Sequence, residues 1–129
     1  KYAIYIKKLQ KEVADFAKER DWDKFHSPKN IAMALSGEVG ELTEVFQWLT
    51  EDESYLKSQP ERVQWASEEL ADVFIYLVRM ADKIGIDIEA AVREKIKLNA
   101  EKYPVETSRG KSTKYNRDDH GKPDTTARK

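Results

Sequence analysis

Apolar residues recur along this chain at spacings of three and four, and no stretch shows sustained apolar–polar alternation. The first run covers about residues 3–21, with Ile6, Leu9, Val13 and Phe16 or Ala17 at helical spacing. Residues 21–25 break that pattern. Ser27-Pro28 then reads as a helix start, with Ser as N-cap and Pro at the first helical position. The second run continues to about Thr50, and the acidic, polar residues 51–58 form a connection with room for a helical turn. Pro60 opens a third run that reaches Ile84, where Gly85 supplies a left-handed terminal residue. Asp87 is placed to cap a fourth, which stops before Pro104. Four amphipathic helices with short links predict an all-α, four-helix bundle-like subunit. The longest apolar run, residues 73–78, falls far short of the roughly 20 residues that a membrane span needs.

Helix positions advance by about 100° per residue, so faces follow from numbering. In the second run, Ile31, Leu35, Leu42, Phe46 and Leu49 form the core stripe. Glu38 sits at its edge, Glu41 lies about 60° further round, and Trp48 falls on the Glu41 flank. In the third run, Ala66, Leu70, Val73, Phe74, Leu77 and Ala81 form the core stripe. Trp65, Glu69, Asp72 and Tyr76 make a second stripe about 60° wide. Each helix thus carries an acid-x-x-acid pair beside its buried face, close enough for both carboxylates to reach one point. Four carboxylates at the borders of buried faces repel one another, and desolvating them unpaired costs several kcal/mol each. Either Lys or Arg partners or a divalent cation must compensate. Oxygen ligands without His or Cys favour a hard ion, Mg²⁺ or Mn²⁺. A di-iron centre would need Glu-x-x-His motifs, and neither histidine lies in one.

Composition narrows the chemistry. The 129 residues contain no cysteine, which excludes a thiolate nucleophile and cysteine-ligated metal, and only 5 glycines, too few for a glycine-rich phosphate loop. The net charge of -1 hides an asymmetry. Residues 1–105 hold 16 Lys/Arg and 20 Asp/Glu, whereas residues 106–129 hold 7 and 4. We therefore expect an all-α domain over 1–105 and a basic, irregular tail over 106–129. The acidic body disfavours nucleic acid as a partner. The missing cysteines and the absence of a secretory pattern lead us to expect a cytoplasmic location.

The sequence Gly37-Glu38-Val39-Gly40-Glu41-Leu42, followed by Glu68-Glu69-Leu70-Ala71-Asp72-Val73, resembles the ExxE…ExxD signature of the MazG-like all-α nucleoside triphosphate pyrophosphohydrolases. Glu19-Arg20-Asp21-Trp22, Phe25-His26, Pro28-Lys29-Asn30 and Phe46-Gln47-Trp48 are similar to the dCTP pyrophosphatase branch of that superfamily. So are residues 75–78 and the late Lys95, Asn99 and Lys102-Tyr103-Pro104. The likeness spans roughly residues 12–104. Gly37 departs from the Glu doublet that many MazG proteins carry there.

The resemblance implies hydrolysis of a (deoxy)nucleoside triphosphate, dCTP or a modified dCTP, to the monophosphate and pyrophosphate. It makes Glu38, Glu41, Glu69 and Asp72 the catalytic, Mg²⁺-ligating set. It makes Trp22 and Trp48 the aromatic walls of the base pocket, since aromatic faces stack on bases. His26 and Tyr76 line that pocket, and Lys95, Asn99 and Lys102 contact phosphate or sugar. The tail residues Arg109, Lys111, Lys114 and Tyr115 would fold over bound phosphates. Trp65, one turn before Glu69, reads from its position as a packing or subunit-contact residue. A homodimer or homotetramer is expected, because so short a bundle leaves apolar faces uncovered. Two other readings compete. One keeps the chemistry but acts on dUTP or damaged purine triphosphates. The other is a helical oligomerisation or adaptor module whose acids are surface charge or ion pairs.

Overall fold

The computed structural model describes residues 2–112. Its elements are α1 (Tyr2–Glu19), α2 (Pro28–Phe46), α3 (Pro60–Ile84), α4 (Ile88–Lys102) and the short α5 (Val105–Ser108). Two 3₁₀ turns, Asp23–Phe25 and Glu53–Tyr55, fill the connections before α2 and α3. No strand occurs among the described residues. The structure is all-helical, as the periodicity predicts. None of its helices is long and apolar enough to cross a membrane. Lys114, Tyr115 and the rest of residues 113–129 lie outside the described residues.

The boundaries have local causes. α1 ends as Asp21 turns to φ 57°, and the Trp22 N–H donates back to the Ala17 carbonyl at 2.9 Å. That left-handed residue and backward bond close the last turn. Ser27 Oγ accepts from the Asn30 N–H at 3.1 Å, and Pro28 occupies the first position of α2. Gly85 adopts φ 73° at the end of α3, and the following Ile86 N–H donates to the Ala81 carbonyl at 2.8 Å. Between α2 and α3, Thr50 and Glu53 exchange bonds. The Thr50 N–H donates to Glu53 Oε1 at 2.8 Å, and the Glu53 N–H donates to Thr50 Oγ1 at 3.2 Å. This is a capping box on a single 3₁₀ turn.

One boundary departs from expectation. α2 stops at Phe46 rather than near Thr50. Arg62, from the first turn of α3, donates through Nη1 to the Val45 carbonyl at 2.7 Å. That carbonyl would otherwise accept from Leu49 if the helix continued. The Leu49 N–H turns to the Phe46 carbonyl instead. Trp48 therefore sits in a turn, 87% exposed, and its helical angle relative to Glu41 does not apply.

The contacts divide the chain into two compact units, Lys1–Ile88 and Glu89–Lys129. In the first, α2 packs along α3, and α1 also packs on α3. Val45, Leu56 and Ala66 form the buried cluster, with Phe46 and Leu49 against it. Ala17, Ile31, Val78 and Ala81 are also buried. The predicted core stripe of α3 is only partly covered: Leu70 is 55% exposed and Phe74 42%. In the second unit, α4 carries an Arg93–Glu89 ion pair one turn apart at 3.7 Å, and α5 follows Pro104.

Candidate metal-binding active site

Packing of α2 along α3 brings the two acid pairs together. Glu38, Glu41 and Glu69 each offer a carboxylate oxygen, and the three oxygens lie within 4.8 Å of one another. Opposite ligands on a small hard ion sit about 4 Å apart, so modest side-chain shifts suffice to close the group on one cation. Asp72 is exposed and outside that tight trio, but its charge bears on both Glu38 and Glu69.

The electrostatics are those of negative charge that no nearby cationic side chain among the described residues balances. Glu38 Oε2 and Glu69 Oε2 are buried without a hydrogen-bond partner. None of the ion pairs among the described residues engages Glu38, Glu41, Glu69 or Asp72. The Glu38 carboxyl is pushed up to about 7, first by its hydrogen bond with Glu41, then by burial and by the charges of Glu41, Asp72 and Glu69. Glu69 is raised by burial first and then by Glu41 and Asp72, while a hydrogen bond with Trp65 acts the other way. Trp65, expected to pack or to make a subunit contact, thus acts on one of the carboxylates from one turn before it. It also lines a cleft of about 500 Å³ with Ser58, Gln59, Pro60, Glu61 and Arg62, away from the acids themselves. Carboxylates only, two with orphaned buried oxygens, fit a hard divalent cation.

The other expected residues fall into three places. Tyr76 is half-buried on α3, one turn beyond Asp72 on the same stripe. Trp22 and His26 flank the 3₁₀ turn at the α1–α2 corner. Trp22 is 46% exposed, and its indole meets the edge of Phe16 with ring centroids 5.8 Å apart. Lys95, Asn99 and Lys102 share one face of α4, in the second unit, with Arg109 and Lys111 exposed further along.

The corner also holds a residue that the sequence reading missed. Arg79 is buried, with 4% exposure, and its guanidinium donates to three groups. Nε reaches His26 Nδ1 at 3.3 Å, Nη1 reaches Asp82 Oδ2 at 3.3 Å, and Nη2 bonds Asp23 Oδ1. Lys83 also donates to Asp23 Oδ1, at 3.0 Å. The Lys83 hydrogen bond, then the Lys83 and Arg79 charges, hold Asp23 below the usual carboxylate range against its desolvation. Burial, then the Arg79 charge, lowers His26. The available signal was spacing, since Arg79 and Lys83 continue the line of Glu69, Asp72 and Tyr76 at intervals of three and four.

This arrangement agrees with what sequence comparison finds. A model of the MazG-like family matches residues 33–117, and the chain belongs to that family. It is 48% identical over 103 residues to dCTP pyrophosphatase 1 of Mus musculus, covering 79% of this chain and 61% of that protein. Against dCTP pyrophosphatase 1 of Homo sapiens it is 46% identical over 109 residues, covering 84% and 64%. The chain thus spans under two thirds of the length of these relatives. A crystal structure of a pyrophosphatase from Archaeoglobus fulgidus superimposes with a TM-score of 0.72 at 37% identity, over 78% of this chain and 93% of that one.

Proposed function

We propose that this protein hydrolyses a (deoxy)nucleoside triphosphate, dCTP or a modified dCTP, to the nucleoside monophosphate and pyrophosphate, and so clears the nucleotide pool. The observation that carries the reading is the trio Glu38, Glu41 and Glu69, with two buried oxygens left without partners and no cation paired to them. An adaptor whose acids form ion pairs would not leave them so. The dCTP pyrophosphatase relatives support the substrate class.

Glu38, Glu41 and Glu69, with Asp72, would hold Mg²⁺ or Mn²⁺. Such an ion, when bound, polarises phosphate oxygens and makes water a better nucleophile. The chain's own groups do the rest. Water would attack one phosphorus, its hydroxyl replacing the bridging oxygen, which departs on the other phosphate fragment, while its proton passes to one of the four carboxylates Glu38, Glu41, Glu69 and Asp72. Trp22 and Trp48 would stack on the base, and Tyr76 would line the same pocket. Lys95, Asn99 and Lys102 would meet phosphate or sugar oxygens. The half-exposed Leu70 and Phe74 support assembly into a dimer or tetramer, which light scattering after gel filtration measures directly.

Pyrophosphate release from dCTP tests the site. The wild type releases it only with Mg²⁺ or Mn²⁺, and Glu38→Ala and Asp72→Ala lose that release. Full activity in either variant would reject the assignment. A panel of dCTP, dUTP and oxidised purine triphosphates, compared by kcat/KM, separates the preferred base from the alternatives, because a hydrogen-bonding pocket discriminates sharply.

A further inference from the structure

The face of α3 that carries the acids continues past Tyr76. Trp65, Glu69, Asp72, Tyr76, Arg79 and Lys83 all fall within about 80° of helix surface. Arg79 lies seven residues beyond Asp72, about 10 Å along the axis. At that end the corner bearing Trp22 and His26 is tied to α3 through one buried side chain.

The bond from Arg79 to His26 has a chemical consequence. A guanidinium is always protonated and has no acceptor. A hydrogen bond from its Nε to His26 Nδ1 therefore requires a lone pair on Nδ1, and the ring proton must sit on Nε2. Protonating Nδ1 would break this bond and set two cations side by side. The charges that act on the imidazole are Arg79 and Lys83 from α3 and Asp23 from the 3₁₀ turn, while Asp82 bonds Arg79 from behind. Asp23, bonded to both Arg79 and Lys83, pulls the other way, toward an imidazolium, but burial and the Arg79 charge outweigh it. Burial and the two cations hold His26 below its ordinary range.

We propose that Arg79 is a positioning residue for His26, holding the imidazole neutral with its proton on Nε2, so that the half-buried ring presents a fixed donor to an acceptor atom of the nucleoside. The substrate half of this proposal rests on the pyrophosphohydrolase reading. The tautomer half does not.

Nitrogen NMR of the imidazole side chains tests the tautomer without any variant in the measurement itself. The chain has 2 histidines, and His26→Ala assigns the signals. In the wild type, Nδ1 is unprotonated and Nε2 protonated, with a titration midpoint below about 6.5. In Arg79→Met the midpoint rises toward that value and both tautomers are populated. KM for the triphosphate rises about tenfold there, with kcat within about twofold, the signature of lost uniform binding. Arg79→Lys keeps a charge for Asp23 but lacks the fork, and it does not restore KM. In a His26→Gln background, Arg79→Met no longer changes KM, because the two residues act as one unit.

A wild-type His26 with an ordinary midpoint, or with its proton on Nδ1, overturns the inference even if dCTP is hydrolysed. So does an Arg79→Met variant whose loss falls on kcat alone. The expected imidazole in a protein that hydrolyses no triphosphate overturns the functional reading and leaves the Arg79–His26 pairing standing.

Discussion

Two clusters of charge sit along one face of α3, and they solve burial in opposite ways. At the Arg79 corner, cations and carboxylates alternate: Arg79 and Lys83 meet Asp23, and Arg79 also meets Asp82. At the Glu38–Glu69 end every charge has the same sign, and two oxygens have no partner. The first cluster is complete in the chain alone and serves to hold one segment against another. The second is incomplete, and its discomfort shows in the raised Glu38 and Glu69 carboxyls. Side chains that satisfy one another build structure, whereas buried carboxylates of one sign without partners mark a candidate site for a cation.

The comparison is broken most severely by removing an acid. Glu69→Ala is expected to lower kcat/KM for dCTP by about 100-fold or more, since holding the ion contributes several kcal/mol of transition-state stabilisation. The same variant without metal should melt no lower than the wild type, because the lost charge was repelled by its neighbours. A loss of both activity and melting temperature would make Glu69 a structural residue instead. The next effect is metal linkage. Mg²⁺ at 100 times its Kd stabilises the native state by about 2.7 kcal/mol, which scanning calorimetry reads as a Tm rise of several degrees. Glu38→Ala should abolish that rise and Arg79→Met should leave it.

A smaller effect falls on the corner. Arg79→Met loses three hydrogen bonds to the guanidinium, but Asp23 and Asp82 are partly exposed and regain water. The expected cost is about 1–3 kcal/mol in urea unfolding. The smallest effect is in pH dependence. Glu38 ionises near 7 in the native state, well above an ordinary carboxyl. Between those two values the native state binds more protons than the unfolded chain, so stability falls as pH rises through that window. Metal-free wild type should melt higher at pH 5 than at pH 7.5 by a margin that Glu38→Gln reduces. An equal pH slope in that variant would show that Glu38 is not the group responsible.

Much of the first unit was legible because its signals are local. Ser27-Pro28, Pro60 and Gly85 mark helix ends by chemistry acting within one turn, and all three stand where their residue types predict. The acid pairs were legible for the same reason: helical spacing places Glu38 with Glu41, and packing of two amphipathic helices then brings Glu69 to them. What escaped the sequence was contact between distant residues. Arg79 finds partners more than 50 positions upstream, in a corner that looked merely like a break in periodicity. Leu70 and Phe74 carry the right residue types for a core but stay half-exposed, because a stripe records what can be buried and not which surface covers it.

The stop of α2 is a secondary-structure boundary drawn by tertiary contact. Its last turn is ended by Arg62 taking the Val45 carbonyl, a contact made across 17 residues. The residue types do not force the stop at that point, since Gln47, Trp48 and Leu49 are all acceptable in a helix. The end of α2, and with it the exposed turn that carries Trp48, is therefore set by a contact from α3 and not by the residue types at the boundary.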